Sequence, residues 1–224
     1  MPQIPGFSLA ADWRGALEMA GDFYDVFALP DGRWAMVIAD VSDKGAPAAL
    51  YMAMARSLIR ASAGSTASPA TTLMEVNQRI RAHSSSDMFV TVFYAVLDAA
   101  ARTLTYANAG HNPPLLRRAT GAIEKLTRTG PLLGAFEALN LSDVTLTLAP
   151  GEALVTYTDG VTDALNPQGE EYSLTRLTAA VISAPVSDAA LQLQHVSSDL
   201  AAFTQAAPLF DDITLFIVVS EREP

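Results

Sequence analysis

Hydrophobic and polar positions alternate in short runs along most of this chain, giving way to helical spacing in one middle and one late region. Phe7 to Trp13 and Ala16 to Leu29 mix short alternations with β-favouring residues, which predicts strands. Pro30-Asp31-Gly32 reads as a turn, because Pro fixes φ at the second turn position and Gly accepts positive φ. The apolar run Trp34 to Ala39 returns as the partner strand of a hairpin, and its near-continuous apolarity predicts burial on both faces.

Ala46 to Ala63 is rich in Ala, Met and Leu, with Pro47 near the start, where a missing N–H is harmless. Leu50, Met54, Ser57, Leu58 and Ala61 form the expected stripe of this helix. A Ser/Gly/Ala/Thr loop follows. A second helix opens at Ser68-Pro69 and carries Leu73, Val76, Asn77 and Ile80, and His83 to Ser86 is a polar break.

Met88 to Leu97 alternates β-branched and aromatic residues, and Thr103 to Ala107 is its return strand. Asn108 to Pro114 is too full of Gly, Pro and Asn for regular structure. Leu115 to Arg118 and Ile123 to Leu126 flank Ala119-Thr120-Gly121 as a hairpin, and Gly130 to Gly134 is a loop. Val144 to Leu148 and Ala153 to Tyr157 are strands joined at Pro150-Gly151. A polar stretch after Asp159-Gly160-Val161 leads to helical pattern over Leu174 to Ile182 and Asp188 to Thr204, and the chain closes on the strand Ile213 to Val219. Strands clustered with strands and helices with helices predict an α+β fold: two antiparallel β-sheets flanked by helical pairs. No repeat, low-complexity segment or composition shift marks a linker, so residues 1–224 are read as a single domain.

Composition narrows the function. Half of the 224 residues are hydrophobic and 17% are charged, the balance of a packed globular chain. Fourteen Lys and Arg stand against 24 Asp and Glu, a formal net charge of -10, so there is no basic stripe for nucleic acid. The same charge repels an anionic substrate unless bound cations reverse the local field. The absence of cysteine excludes disulfides, zinc–thiolate sites and thiol nucleophiles. No basic segment with an apolar stretch opens the chain, and no apolar run approaches the ~20 residues that span a bilayer. A cytoplasmic location is expected.

The chemistry gathers at acids. Asp40 ends the apolar run Met36 to Ala39 and leads through Val41-Ser42-Asp43-Lys44-Gly45 into the first helix. Asp22, Asp159 and Asp211 stand likewise at the edges of apolar runs. A carboxylate at the end of a buried strand is costly unless positive charge meets it. Any one of these residues would serve as an ordinary turn or cap residue. Four that a sheet edge could gather would repel one another, and two hard divalent cations, Mn²⁺ or Mg²⁺, would cancel that charge. Such a pair can activate a water for attack on phosphorus. Zinc fits poorly, since the three histidines have no zinc-motif spacing.

These residues, taken in order, resemble the catalytic domain of the SpoIIE/RsbU-type bacterial serine phosphatases, a branch of the metal-dependent (PPM) protein phosphatases. The resemblance runs from Pro5-Gly6-Phe7 with Ala10 to Trp13, through Gly21-Asp22-Phe23-Tyr24-Asp25 and Asp40 to Gly45. It continues through Met88-Phe89-Val90-Thr91, Asn108 to Pro113, Gly130 to Gly134, Thr158 to Asp163 and Asp211-Asp212-Ile213-Thr214. Any one motif is weak; the ordered set is specific. The resemblance implies an αββα sandwich with Asp22 bridging two metals and Asp40 and the Val41 backbone carbonyl on one of them. Asp159 and Asp211 would then hold the other. It implies hydrolysis of phosphoserine or phosphothreonine without a covalent phosphoenzyme, on a phosphorylated STAS-domain anti-sigma-factor antagonist. It also leaves room for a homodimer and for an amino-terminal sensor domain in a longer parent protein.

Two departures stand out: Ala20 replaces the first Gly of the usual Gly-Gly pair, and Asp43 stands where relatives often have Gly. Asp tolerates positive φ better than most residues, so the turn is expected to survive. Asp25 and Asp212 are read as partners of the ligands, and Asp163 as a tie for the segment after Asp159-Gly160. Lys44 and Gly45 precede a helix amino terminus that offers N–H groups to an anion. Asn108, His111 and Gly160 complete the candidate set, with His111 shaping the site or substrate groove rather than protonating the leaving group. His83 and His195 are expected on the surface. Two other functions compete: a partner-binding module that kept the fold, and a hydrolase of small phosphoesters.

Overall fold

The structure is a computed structural model in which residues 1–64, 68–83, 88–205 and 207–222 are described. In chain order the first elements are β1 (Phe7–Arg14), β2 (Phe23–Ala28), β3 (Trp34–Val41), α1 (Ala46–Ser62) and α2 (Pro69–His83). Then follow β4 (Val90–Asp98), β5 (Thr103–Ala109), β6 (Leu115–Arg117), β7 (Ile123–Lys125) and β8 (Val144–Thr147). The chain ends with β9 (Ala153–Tyr157), α3 (Asp159–Thr162), α4 (Ser173–Ser183), α5 (Ala189–Thr204) and β10 (Ile213–Ser220). The fold is α+β with two antiparallel five-stranded sheets. No described helix is long and apolar enough to cross a membrane.

The residues cluster into two compact units, each with one sheet and its own helices. The unit of residues 17–113 and 127–147 holds the sheet β2-β3-β4-β5-β8 with α1 and α2. Its core joins Val37, Ala39 and Val41 of β3 and Val92, Tyr94 and Val96 of β4 to Tyr51, Ala55 and Ile59 of α1 and Leu73, Val76 and Ile80 of α2. The α2 stripe read from sequence, Leu73, Val76, Asn77 and Ile80, is buried throughout. The α1 stripe is not. Ala48, Tyr51, Ala55, Ile59 and Ser62 face the core, while Leu50 is 73% exposed. Three of the five core positions are Ala or Ser, small enough to bring the helix close to β3, and a search for large apolar side chains passes over them.

The β2–β3 hairpin turns at Pro30-Asp31-Gly32 as expected, with Gly32 N–H donating to Leu29 O at 3.0 Å. β3 lies between β2 and β4, consistent with its apolar run. The expected strand from Ala16 is shorter, because Ala16 to Asp22 is irregular and only Phe23–Ala28 pairs. Asn108 and Ala109, expected in a loop, continue β5 opposite Phe93 and Val92. Main-chain pairing outweighs the local turn preference of Asn there. The loop Gly130 to Gly134 closes on β4 through two bonds between Val90 and Leu133, at 2.9 and 3.0 Å. Of the expected break at His83 to Ser86, residues 84–86 lie outside the described residues; α2 runs through His83. The loop expected between the two helices falls partly on residues 65–67, also outside them.

The unit of residues 1–16, 114–126 and 148–224 holds the sheet β1-β10-β9-β6-β7 with α3, α4 and α5. Its core packs Ile213, Leu215, Ile217 and Val219 of β10 and Val155 and Tyr157 of β9 with Leu177 and Val181 of α4 and Val196 and Leu200 of α5. Asp188 caps α5, its Oδ1 accepting from the N–H groups of Ala190 (2.7 Å) and Leu191 (3.1 Å). β8 and β9, consecutive across Pro150-Gly151, belong to different sheets. The short α3 is absent from the sequence reading, since four residues leave no periodicity to detect.

Candidate metal centre

In the unit that holds β2 and β3, two of the candidate acids come together by register. Phe23 pairs with Ala39, so the next step outward sets Asp22 opposite Asp40, and the one after sets Gly21 opposite Val41. Asp22 is 3% exposed and Asp40 is half-buried. A Cβ on Gly21 would stand 3.1 Å from the Val41 carbonyl oxygen, so the small residue keeps this carbonyl approachable. Ala20, the departure from Gly-Gly, is 6% exposed and fits among buried atoms.

The turn after Asp40 is held at both sides. Ser42 N–H donates to Phe89 O and Phe89 N–H to Ser42 Oγ, each at 2.9 Å. Asp43 adopts φ 76°, the left-handed conformation that the frequent Gly at this position supplies, so Asp sustains the turn as expected. Gly45, at φ 77°, is the N-cap of α1, and Lys44 is exposed beside it.

His111 is buried at 1% exposure, with Nδ1 2.8 Å from Thr91 Oγ1; Thr91 stands opposite Asp40 in the β3–β4 register, and its hydroxyl lies 3.5 Å from Asp40 O. His111 O accepts from Arg128 Nε at 3.3 Å. The histidine is thereby tied to the strand end that carries Asp40. Asn108 is fully buried and exchanges backbone bonds with Thr129: its N–H donates to Thr129 Oγ1 (3.0 Å) and its carbonyl accepts from Thr129 N–H (2.9 Å). Asp25 faces helix α1. Its carboxylate accepts from Arg60 Nε (2.6 Å) and Nη2 (2.7 Å) and from Arg56 Nε (3.1 Å). Burial pushes the Asp25 carboxyl up, but the two guanidinium groups prevail and hold it below the usual carboxylate range.

The other two acids lie in the unit that holds β9 and β10. β9 ends at Tyr157, Thr158 is the N-cap of α3, and Asp159 opens that helix. A Cβ on Gly160 would fall 2.0 Å from Asp212 O and 3.3 Å from the Asp211 carbonyl carbon, so Gly160 lies flat on the Asp211-Asp212 backbone. Thr158 clamps the same place: its Oγ1 donates toward Asp212 O (3.4 Å) and accepts from Thr214 N–H (3.0 Å). Asp211 Oδ1 accepts from Asp212 N–H at 2.9 Å, and Asp212 Oδ1 from Ala16 N–H at 2.8 Å. Asp163 is exposed and accepts from Thr162 Oγ1 at 2.9 Å. His195 is exposed, with Nε2 3.0 Å from Ser183 Oγ; the side chain of His83 lies outside the described part.

Thus each unit carries two of the candidate acids, on backbone segments that the β2–β3 register aligns in one unit and the Gly160 packing brings close in the other. Among the described residues, no three His, Asp or Glu side chains form one ready-made metal cluster. Both pairs offer only oxygen, with a backbone carbonyl next to the first, a donor chemistry suited to hard divalent cations. Thr91, Arg56, Arg60 and Thr158 are the supporting residues that sequence reasoning did not single out. A β3–β4 register would have revealed Thr91, but two helices separate those strands in the chain.

Comparison with known proteins bears on the family and the fold. Residues 30–220 match the family described as Stage II sporulation protein E (SpoIIE). The chain is 32% identical over 245 aligned residues to protein IcfG of Synechocystis, covering 97% of this chain and 38% of that protein. It is 28% identical to phosphoserine phosphatase RsbU of Bacillus subtilis, covering 97% of this chain and 64% of RsbU. It therefore spans only part of these relatives' length. Among solved structures, the SiaA-PP2C domain of Pseudomonas aeruginosa superposes with a TM-score of 0.84 at 22% identity, covering 96% of this chain and 86% of that one. The family match over most of the chain and the shared fold make this a member of the SpoIIE family, within the SpoIIE/RsbU-type branch of the PPM phosphatases.

Proposed function

We propose that this chain, read as one domain, is a metal-dependent protein phosphatase that hydrolyses phosphoserine or phosphothreonine on a partner protein. The proposed partner is a phosphorylated STAS-type anti-sigma-factor antagonist. The observation that carries the reading is where the acids stand: Asp22 one step beyond the Phe23–Ala39 pair, opposite Asp40 and beside the Val41 carbonyl, and Asp159 next to the Gly160 that packs on the Asp211-Asp212 backbone. Its family membership and the name of RsbU, a phosphoserine phosphatase, support it.

Asp22, Asp40 and the Val41 carbonyl are the proposed holders of one divalent cation, Mn²⁺ or Mg²⁺, in their unit, and Asp159 and Asp211 those of a second in theirs. When bound, such cations supply the positive charge that draws a phosphate to a chain of net charge -10 and lower the pKa of the attacking water. The protein's own part is to hold the acids. Gly21 and Gly160 allow the close backbone approach, Thr158 fixes the Asp212 loop, and Thr91 with His111 fixes the Asp40 strand end. Exposed Lys44 at the start of α1 is the candidate contact for a substrate phosphate oxygen.

The test pairs turnover with metal binding. With Mn²⁺ the protein should release phosphate from a phosphorylated STAS protein, EDTA should abolish this, and Asp40→Asn should lower turnover by at least 100-fold. Calorimetry should show Mn²⁺ binding weakened in Asp40→Asn and Asp211→Asn alike. Hydrolysis that persists without divalent metal would overturn the proposal. Tight binding of the phosphoprotein with no release would favour a binding module, and faster turnover of small phosphoesters would favour a small-molecule hydrolase.

A further inference from the structure

A pocket of about 520 Å³ opens in the unit that holds β9 and β10, and its lining residue Phe210 directly precedes Asp211 in the chain. Leu165, Pro167 and Gly169 form one wall, and Ala207, Pro208 and Phe210 the other. Neither wall is loosely built. The first is a tight hairpin: Leu165 bridges Glu171, Gly169 N–H donates to Asn166 O at 2.9 Å, and Asn166 Oδ1 accepts from Gln168 N–H (3.0 Å) and Glu170 N–H (2.9 Å). Tyr172 N–H closes its base on Ala164 O at 2.8 Å. The second wall runs directly into Asp211, while the hairpin follows α3, which Asp159 opens. Phe210 keeps its ring 63% exposed, a large desolvation opportunity left open beside the candidate metal acids.

The rim is acidic. Asn166, which lines the pocket, donates through Nδ2 to Glu170 Oε2 at 2.9 Å, and Glu170, Glu171 and Asp163 are exposed nearby in the chain. No Lys or Arg occurs between Arg128 and Arg176 or between Arg176 and Arg222, and Arg176 itself lies over the Phe203 ring at 4.6 Å. An apolar floor with an anionic rim fits an apolar side chain followed by a cation. It disfavours a second copy of this chain, which would bring the same sign of charge, and equally an anionic lipid surface.

We propose that this pocket is the substrate-docking site: it takes an apolar side chain of the phosphoprotein while Glu170 and Glu171 meet a neighbouring Lys or Arg. The proposal rests on the phosphatase reading above and deepens it, by stating what sequence around the phosphorylated residue is selected.

The experiment uses two fluorescent phosphoserine peptides, one with an adjacent Leu-Lys pair on one side of the phosphoserine and one with Ser at both of those places. Anisotropy and phosphate release are followed with Mn²⁺. The wild-type protein should bind the Leu/Lys peptide about five- to tenfold more tightly, the effect of burying one apolar side chain. Phe210→Ala should remove that preference, and Glu170→Lys, at the exposed rim, should reverse the charge preference towards a Leu/Glu peptide. Turnover of para-nitrophenyl phosphate should stay within twofold in Glu170→Lys. Equal affinity for both peptides in the wild type, or a preference unchanged in both variants, would overturn the docking site. So would a shift from dimer to monomer on Phe210→Ala, since the pocket would then hold a second copy. Loss of all phosphate release in the wild type would defeat the phosphatase reading alone, because anisotropy still reports on the pocket.

Discussion

The Nδ1 atom of His111 lies 2.8 Å from the hydroxyl of Thr91, and the same hydroxyl lies 3.5 Å from the backbone carbonyl of Asp40. The direction of these bonds follows from donor counting. A carbonyl oxygen only accepts, and a Thr hydroxyl has one proton to give. A Thr91 hydroxyl that gives its proton to Asp40 O accepts from His111, and this direction predicts the imidazole proton on Nδ1 and the lone pair on Nε2. Nitrogen-15 spectra of the neutral ring should show the Nδ1–H tautomer, and Thr91→Val should shift the tautomer balance. The same substitution takes the Thr91 hydroxyl away from the buried ring and should cost about 1–3 kcal/mol in urea unfolding. An Nε2–H tautomer in the wild type would reverse the assigned direction.

Gly160 offers a harsher test of the other acid pair. Its absent Cβ would sit 2.0 Å from Asp212 O, a backbone atom of a loop that Thr158 already clamps from the other side. Gly160→Ala must push α3 away from Asp211-Asp212, so Mn²⁺ affinity and turnover should fall together, with a stability loss of about 1–3 kcal/mol. Gly169→Ala, at an open turn with φ +79° and no atom within 4 Å of the added Cβ, serves as a control. It should lose stability through strain and leave Mn²⁺ affinity unchanged. Undiminished metal binding in Gly160→Ala would mean that this close packing does not set the acid positions.

These two contacts also mark what can be read from the amino-acid order. Local signals reveal the β2–β3 hairpin, the β6–β7 hairpin and the α2 stripe, since each depends on residues a few positions apart. Thr91 meeting Asp40 depends on β4 pairing with β3 across two intervening helices, and Gly160 meeting Asp212 spans about fifty residues. No local pattern encodes either. The α1 stripe fails for a different reason: Ala48, Ala55 and Ser62 line the buried face because a close-packed helix needs small residues, while the larger Leu50 points outward. The acids themselves were legible because a carboxylate ending an apolar strand is conspicuous wherever the strand leads.

Asp43 tests a departure from the family pattern. At φ 76° it holds a conformation that costs L-residues roughly 1–2 kcal/mol, eased for Asp by its short polar side chain, whose Oδ1 accepts from Lys44 N–H at 3.1 Å. Asp43→Gly should be neutral to stabilising by up to about 1 kcal/mol, and Asp43→Val should destabilise by about 1–2 kcal/mol. Thermal unfolding of the three proteins orders them. If Asp43→Val matched the wild type, the turn would not be held in the left-handed region.

Asp25 links β2 to α1, and the linkage gives stability a definite pH dependence. Burial alone would raise its pKa, but Arg60 and Arg56 bring it below the ordinary value in the folded protein. A depressed folded pKa means that the unfolded chain binds the proton first as pH falls. The contribution is therefore fully present above the unfolded value, roughly pH 4, and is lost as pH drops through the folded one. Both arginines are about half exposed, at 48% and 47%, so solvent screens the pair and the loss falls short of that for a fully buried one. Asp25→Asn should cost about 2 kcal/mol at pH 7, since it leaves two guanidinium groups without their anion. Urea unfolding at pH 7 and at pH 3 should show the gap between wild type and Asp25→Asn narrowing at the lower pH. A gap of equal size at both would show that the carboxylate's charge is not what ties α1 to the strand that follows Asp22.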